Sequence, residues 1–411
     1  MNRYDTRDKS PRVYNVQKVE TSTDHTKRRV IFAALFFLVA VIALGAGINS
    51  LVNKNNGWDE IKANKTETTN ISEDFVFQYN LGAGKEAAAS ESKVLVSYYT
   101  DWMLECYKVF TNDEKYDDVN NLYYLNHHPN EEIEIDPLLY SSIKKVEDYS
   151  NRLIYLGAIY NIYDDIFMVT DEGQAKEYDP YYNEELAEEF KTIADYANNS
   201  EHVNIELLGN NKVILHVSED YMAFAKDENI DTFVDFSYMR NAFVIDYMAD
   251  ELEKLGYTNA IISSYDGYSR NLVKESDEEF IDTFYGRLED GSVGALGQST
   301  YRGNRNMVKY RNFIVGDRDA YRYFYYEDGT VRSLYLSGED GKCKMSRSSI
   351  QFYSDTLPCA DILLSTINLY VQDSVDNKDI DNMLDKGIYS IYTDKGEVRY
   401  NDDLDFELIE E

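Results

Sequence analysis

The stretch Asp235-Phe236-Ser237-Tyr238-Met239-Arg240-Asn241-Ala242-Phe243-Val244-Ile245-Asp246 and the ten residues after it decide the fold. Apolar side chains recur there at helical spacing, at Tyr238, Ala242, Ile245, Ala249 and Leu252. Gly256, directly after them, is typical of a residue that ends a helix. The pattern predicts a long helix with one face buried against a sheet.

The neighbouring segments show both helical and strand periodicity. Helical spacing recurs at Leu95, Tyr99, Trp102, Cys106 and Val109 and at Leu186, Phe190, Ile193 and Ala197, and it is a poorer match at Leu139, Ile143, Val146 and Ser150. A further helix is expected to start near Pro358. Strands with turn residues between them predict hairpins at Val203–Leu208 with Val213–Val217, at Tyr321–Tyr326 with Val331–Leu336, and at Ile388–Tyr392 with Val398–Tyr400. Hairpins imply antiparallel pairing, so we expect an α+β fold of helices packed on mainly antiparallel sheets.

An apolar run near the N-terminus predicts a single transmembrane helix before this domain. Val30–Val52 spans about 23 residues, long enough to cross a bilayer of about 30 Å. Eight Lys or Arg and four Asp or Glu precede it, and positive charge favours the cytoplasmic side. We therefore expect residues 1–29 inside, 30–52 in the lipid bilayer of the plasma membrane, 53–72 as a polar tether and 73–411 as one extracytoplasmic domain. A cleaved signal peptide is the alternative.

The charge balance restricts the partners of the exported part. Residues 53–411 hold 33 basic and 71 acidic side chains, a formal net charge of −38. Phosphate recognition needs the opposite sign, so we expect no nucleic-acid partner. Three cysteines, Cys106, Cys343 and Cys359, allow at most one disulfide, which is too few for a disulfide-stabilised scaffold.

Two groups of residues are candidates for a functional site on chemical grounds. Asp235 and Asp246 flank the start of the long helix, where unpaired backbone N–H groups suit a phosphate or the edge of a flavin ring. The alternative is that Asp235 caps the helix and Asp246 is a solvated or buried, paired side chain. Asp361 and Ser365 lie one helical turn apart, as two oxygen ligands of Mg²⁺ would. Other candidates are weaker: His127 and His128 suit a surface loop and Cys359 an inert, packed thiol.

Between about residues 75 and 372 the order of motifs resembles the FAD:protein FMN transferases, the ApbE family. The family motif Asp-Leu-Gly-Ala-Ile-Ala-Lys-Gly-Tyr-Ala-Val-Asp is similar to the stretch from Asp235 to Asp246, without a gap. The family motif Ala-Asp-Ala-Leu-Ala-Thr is similar to Ala360-Asp361-Ile362-Leu363-Leu364-Ser365. The glycine turn that opens the family is similar to Tyr79-Asn80-Leu81-Gly82-Ala83-Gly84.

The resemblance implies Mg²⁺ and FAD as cofactors and a Thr or Ser of an exported or membrane protein as the acceptor of FMN. It implies Mg²⁺ ligation by Asp361, Ser365 and the backbone carbonyl of Arg240. It places five residues at the flavin: Asp235, Asn241, Asp246, Tyr265 and Asp266. No catalytic residue is assigned.

The sequence also departs from the family pattern. Asn241-Ala242 replace the family Lys-Gly pair, and Tyr265-Asp266-Gly267 replace a Gly-Gly doublet. No histidine stands in the segment from Arg332 to Gly341, where the family has one before Asp-Pro-x-x-Gly. These changes remove a positive charge and a general acid or base. Three functions therefore remain open: a flavin transferase, a degenerate relative that binds a flavin, a nucleotide or nothing and serves as an envelope interaction module, and an unrelated surface protein.

Overall fold

The computed structural model describes residues 56–65, 70–83, 87–274 and 278–409. The predicted anchor, Val30–Val52, lies outside these residues. Within them, no helix combines the length and the apolar character that crossing a membrane requires. The described residues belong to one compact unit.

The described residues alternate between strands and helices. The strands are β1 (Gly57–Ile61), β2 (Phe75–Leu81), β3 (Glu132–Glu134), β4 (Val203–Gly209), β5 (Lys212–Val217), β6 (Ala260–Ser264), β7 (Tyr268–Asn271), β8 (Phe280–Arg287), β9 (Val293–Tyr301), β10 (Arg305–Arg311), β11 (Tyr323–Tyr325), β12 (Val331–Ser333), β13 (Ser349–Ser354), β14 (Tyr389–Asp394), β15 (Glu397–Tyr400) and β16 (Phe406–Leu408). The α-helices are α1 (Ala88–Phe110), α2 (Leu122–Asn126), α3 (Pro137–Asp148), α4 (Gly157–Tyr163), α5 (Glu172–Ala175), α6 (Glu184–Asn198), α7 (Glu219–Asp227), α8 (Arg240–Leu255), α9 (Cys359–Tyr370) and α10 (Asn377–Asp381). Short 3₁₀ turns occupy Asn70–Asp74, Leu153–Leu156, Asp164–Phe167, Ser237–Met239, Ala320–Arg322 and Asn382–Lys386.

The main sheet has eight strands in the order β1-β2-β6-β7-β10-β13-β14-β15. Smaller sheets are β16-β9-β8, β3-β5-β4 and the pair β11-β12. Every strand pair is antiparallel. The expected α+β class with antiparallel sheets is therefore confirmed.

Helices α8 and α9 lie side by side on the main sheet and position the candidate residues. Helix α8 packs on β6 and β7, and α9 packs on β7, β10 and β13. The predicted apolar face of α8 is buried, with Ile245, Ala249 and Leu252 all at 0% exposure. Gly256 ends the helix with a left-handed backbone (φ 85°), as the sequence predicts.

Two of the predicted hairpins have the expected turns. Asn210 and Asn211, between β4 and β5, both have positive φ (52° and 61°). Lys395 and Gly396, between β14 and β15, also have positive φ (52° and 87°). Two consecutive left-handed residues match the twist of the flanking strands, which is why Asn and Gly are favoured there.

Two segments differ from the sequence-based expectation. Gly57–Ile61, inside the expected tether, forms the edge strand β1, which pairs with β2. An edge strand needs few buried side chains, and here only Ile61 is fully buried, so its sequence is polar. The hairpin expected from Tyr321 to Leu336 is shorter, because the residues before Tyr323 form a 3₁₀ turn.

Candidate functional site

A cleft of about 280 Å³ opens at the start of α8, and we call it the helix-start cleft. It is lined by Asp74, Tyr107, Phe110, Thr111, Asn112, Asp113, Tyr160, Asn161, Asp164, Thr232, Asp235, Ser237, Tyr238, Arg240, Asn241, Tyr321, Arg322 and Leu334. Three of the residues singled out from the sequence, Asp235, Arg240 and Asn241, therefore share one cleft.

Asp235 holds the turn from which α8 starts. Its carboxylate accepts hydrogen bonds from the side-chain amide of Asn112 and the backbone N–H of Ser237. Ser237 has a left-handed backbone (φ 39°), at the position where the resembled motif has glycine. Such a conformation costs a non-glycine residue about 1–3 kcal/mol, and the bond to Asp235 helps to hold it. Asp235 therefore holds the 3₁₀ turn Ser237–Met239 that precedes α8, whereas the N-cap position of α8 itself is Met239, which makes no side-chain cap.

Asn241 and Asp266 form a buried network beneath the cleft. The side-chain amide of Asn241 donates to Asp266 over 3.0 Å, and the Arg322 guanidinium lies 3.2 Å from the same carboxylate. Burial raises the pKa of Asp266, and Arg322 opposes that shift. Arg322 also lies 3.5 Å from Asp74, and Arg240 lies 3.6 Å from it. Both cations of the cleft are therefore paired within the protein.

Asp246 faces away from that network and joins α8 to α9. Its two oxygens accept the backbone N–H groups of Cys359 and Ala360, at 2.9 and 2.8 Å. Arg270, with only 7% of its side chain exposed, pairs with the same carboxylate at 3.2 Å. Burial raises the pKa of Asp246 to about 6, against the influence of Arg270. Asp246 is therefore a buried, paired side chain, as the alternative interpretation of the sequence expected.

Asp361 and Ser365 lie outside the helix-start cleft, against the end of α3. The ammonium of Lys145 forms an ion pair with one oxygen of Asp361, whose side chain is 17% exposed. The Tyr149 hydroxyl donates to the other oxygen over 2.9 Å. Burial and then Asp361 raise the pKa of Tyr149, while a hydrogen bond with Ser365 lowers it. Asp361 and Ser365 thus converge on one tyrosine hydroxyl.

The resident contacts do not fit Mg²⁺ at Asp361. A magnesium ion binds carboxylate oxygens directly, yet here an ammonium and a phenol hold both oxygens. Among the described residues, no three His, Cys, Asp or Glu side chains gather as a metal site would require. Arg240, the third residue expected at the metal, lines the helix-start cleft instead.

The helix-start cleft does not fit FAD either. Pockets for drug-sized ligands measure about 300–1,000 Å³, and a dinucleotide is larger than most drugs. Four carboxylates, those of Asp74, Asp113, Asp164 and Asp235, line the cleft against two guanidinium groups. A pyrophosphate would meet an excess of like charge.

Tyr265 faces a second, larger cleft of about 630 Å³ between the main sheet and β8. The Arg318 guanidinium lies 5.4 Å from the centre of its ring. Gly267 has a φ of 110°, and a Cβ on it would lie 2.4 Å from the carbonyl oxygen of Lys309. That single glycine is required by the close approach of β10. The residues expected at the flavin are therefore divided: Asp235 and Asn241 line the helix-start cleft, Tyr265 lines the second cleft, Asp246 lines a third cleft of about 420 Å³, and Asp266 lies in the interior.

The sequence patterns did not identify three residues of the helix-start cleft, Asn112, Asn161 and Asp164. They also did not identify Lys145, the ion-pair partner of Asp361. Asn161 and Asp164 interrupt or end the apolar run that begins at Leu153, and that interruption was the available signal. Asn112 stands two residues after Phe110, the apolar end of α1. Lys145 carried no signal, because a lysine on an exposed helix face is ordinary. The thiols Cys106, Cys343 and Cys359 are buried and free.

The surroundings of Asp164 predict a pH-dependent stability. Although Asp164 is exposed at the edge of the cleft, the protein atoms crowded around its carboxyl and then the nearby Asp235 raise its pKa from 3.8 to about 7, while Arg240 opposes the shift. The folded state then binds a proton more readily than the unfolded state, so this contribution to stability falls as the pH rises from about 4 to about 7. We expect Asp164→Asn to gain thermal stability relative to the wild type across that range.

The matched control is Asp165→Asn, which removes the same charge one residue away, outside the cleft lining. Thermal midpoints measured from pH 4 to pH 8 should show a pH-dependent difference from the wild type for Asp164→Asn only. Parallel curves for the wild type and Asp164→Asn would contradict the raised pKa of Asp164.

No protein-family model matches the sequence, and no curated protein matches it. Solved structures do match. The ApbE protein of Thermotoga maritima matches with a TM-score of 0.58 and 12% identity, over 85% of this chain and 97% of that one. The flavin transferase ApbE of Vibrio cholerae matches with a TM-score of 0.56 and 14% identity, over 84% and 97%.

A third match is the flavinyl transferase ApbE of Pseudomonas stutzeri in its apo form, with a TM-score of 0.52 and 10% identity, over 80% of this chain and 90% of that one. The three proteins are matched over 97%, 97% and 90% of their own length. The chain therefore has the fold of the ApbE flavin transferases.

Proposed function

We propose that this chain is an extracytoplasmic binding protein built on the flavin transferase fold, and that in its resident arrangement it does not transfer FMN. The proposal rests on the contacts of the Asp361 carboxylate. Lys145 and Tyr149 hold both oxygens of the carboxylate that the resemblance assigns to Mg²⁺. An internal ammonium thus neutralises the charge that a metal ion would neutralise.

The other replacements support the same conclusion. Asn241 stands where the resembled family has lysine, and its amide is committed to Asp266. Leu334 lines the cleft within the segment where that family has a histidine. Among the described residues that line it, the cleft therefore offers no free cation for the pyrophosphate and no imidazole for proton transfer.

A flavin transferase that requires Mg²⁺ is the second candidate, and one observation favours it. Asp361 and Ser365 share contact with the Tyr149 hydroxyl, so the two proposed ligands do face one point. The Lys145 side chain is 33% exposed and could leave that point without unfolding the helix. Metal binding would then cost the free energy needed to break the ion pair between Lys145 and Asp361.

Titration calorimetry separates the two candidates. We expect no saturable binding of FAD at high micromolar concentration in the presence of Mg²⁺, and no adduct of FMN mass on a candidate exported acceptor. Binding of FAD with transfer that Asp361→Ala abolishes would establish the transferase instead.

Lys145→Ala and Lys144→Ala form a matched pair for the metal site. Lys144 is the preceding residue on α3 and pairs with Asp148 at the surface. Removing Lys145 exposes the Asp361 carboxylate, so we expect only Lys145→Ala to gain Mn²⁺ binding, measured by electron paramagnetic resonance. Equal Mn²⁺ binding by the wild type and both variants would show that the ion pair does not block the site.

We further propose that Val30–Val52 anchors the chain in the plasma membrane, with the domain outside. The support is the basic cluster at residues 27–29 before the apolar run. Protease added to intact cells should degrade the region after residue 53, and a cytoplasmic control protein should survive. If the protease cuts a control surface protein but leaves the domain whole, the proposed orientation in the membrane is wrong.

A further inference from the structure

The second cleft lies on the face of the main sheet that is turned away from helices α8 and α9, and we call it the β8 groove. Strand β10 shows the two faces. The Tyr310 hydroxyl contacts Thr366 of α9 over 3.0 Å, whereas the neighbouring Lys309 forms an ion pair with Asp282 of β8. Successive side chains of a strand point to opposite faces of the sheet. The β8 groove is therefore separate from the surfaces that α8 and α9 position.

Strand β8 forms one wall of this groove, and the main sheet forms its floor. The main sheet continues past β8 through β10, β7, β6 and β2, which contribute Met307, Lys309, Ser269, Ile261, Ser263 and Gln78. The loop of residues 315–319 forms the opposite wall. Because this floor already fills the layer beneath the edge of β8, the groove accepts a single extended segment and not the edge of a second two-layered domain.

The backbone of β8 directs hydrogen-bonding groups to the side of the groove. Thr300 of β9 donates its N–H to the carbonyl of Asp405, beside β16, over 2.9 Å. Residues of an antiparallel strand face their two neighbours alternately, so Thr300 and Gln298 both face β16. Their partners on β8, Ile281 and Thr283, are therefore not hydrogen-bonded to β9. The N–H and C=O groups of Ile281 and Thr283 point out of the sheet, and β8 is its last described strand.

Strand β8 is also an unusually accessible edge. It has eight residues, more than any other described strand at the end of a sheet. It contains neither proline nor lysine, which commonly block such edges, and it exposes the apolar side chains of Ile281 and Tyr285. A long apolar edge of this kind is a template for pairing with another segment.

The charges of the groove indicate what that segment carries. Lys309 and Arg311 are held in ion pairs inside the protein. Arg318, on the opposite wall, is exposed and donates to the carbonyl of Glu73 over 3.3 Å. No carboxylate of the described residues forms an ion pair with Arg318. In a domain with a large excess of acidic residues, this guanidinium favours an acidic side chain on an incoming segment.

We propose that the β8 groove binds an extended segment of a partner protein as an added β-strand, with apolar side chains at alternate positions and an Asp or Glu opposite Arg318. Backbone bonds to Ile281 and Thr283 provide affinity, and the alternate side chains provide specificity. A strand of about five residues, about 17 Å long, suffices. The inference goes beyond the proposed function: the groove shares no lining residue with the helix-start cleft, so binding of FAD there would leave it standing.

The probe is a phage-displayed library of random nonapeptides, selected on the purified full-length chain. We expect the enriched sequences to carry apolar residues at every second position and an acidic residue at one fixed position. Fluorescence anisotropy then measures the dissociation constant of a synthetic peptide with the enriched sequence. Methylation of its backbone nitrogens, one at a time, should weaken binding about tenfold at alternate positions only, because only those N–H groups face β8.

Two variants of β8 locate the binding edge. Thr283→Pro removes an outward N–H without breaking a bond to β9, so it should weaken binding more than about tenfold while circular dichroism shows a folded domain. Ile281→Lys, at a side chain that is 63% exposed, should have a similar effect, because lysine blocks an edge. The matched control is Leu408→Lys, 55% exposed on β16 at the other edge of the same small sheet, which should leave binding within about twofold.

A charge exchange tests the opposite wall. Arg318→Glu should weaken binding of the acidic peptide and restore binding of a peptide with lysine at the same position, whereas Arg302→Glu, outside the groove, should do neither. The proposal is overturned if the library enriches no sequence, if N-methylation shows no alternation, or if Ile281→Lys and Leu408→Lys bind the peptide equally.

Discussion

Ile245→Asp is expected to unfold the domain. Ile245 lies in the middle of α8, is fully buried and belongs to the main hydrophobic core. An unpaired carboxylate there costs several kcal/mol, against a total stability of about 5–15 kcal/mol for a typical domain. Circular dichroism should show loss of the cooperative thermal transition or a midpoint far below that of the wild type.

Leu255→Asp is the matched control, because it makes a similar change on the same helix at a side chain that is 46% exposed. Surface substitutions usually change stability by less than about 0.5 kcal/mol, with a small addition from an acidic residue at a helix C-terminus. Similar midpoints for the two variants would show that the buried face of α8 is assigned incorrectly.

Asp246→Ala is expected to cause the second large effect. The substitution removes the carboxylate that accepts the first backbone N–H groups of α9, and it leaves Arg270 buried. Breaking a buried ion pair by removing one partner costs about 3–5 kcal/mol, because the remaining charge stays in the interior. Urea denaturation should show a lower midpoint.

Asp250→Ala tests the same arginine at its other partner. Asp250 lies 3.3 Å from Arg270, but 58% of its side chain is exposed. An exposed ion pair contributes about 0–1 kcal/mol, so this variant should stay close to the wild type. If the two alanine variants lose equal stability, the carboxylate of Asp246 does not join α8 to α9 as its contacts indicate.

The sequence predicted the elements with strong periodicity. The four helices counted from apolar spacing, and the hairpins around residues 209–212 and 394–397, are present close to their expected bounds. Edge strand β1 was missed, since one fully buried side chain leaves no alternation to detect. The 3₁₀ turn at Ala320–Arg322 was missed because Arg322 bonds to Asp266, which is distant in sequence.

The candidate site was predicted only in part. Asp235, Arg240 and Asn241 line one cleft because they are neighbours at one helix start. Motif order could not show that Lys145, from a helix more than two hundred residues earlier, reaches Asp361. A one-dimensional motif records which ligand types are present and omits what already occupies them.

By itself the sequence determined the antiparallel α+β class, the buried face of α8 and the acidic character of residues 53–411, because periodicity and composition are local or additive properties. Only the tertiary structure decided that Asp246 accepts the first N–H groups of α9, that Lys145 and Tyr149 hold Asp361, and that Asp113 and Asp164 line one cleft with no salt bridge from the described residues. These contacts join distant segments, and their energies depend on distance, burial and geometry that exist only after the chain has packed.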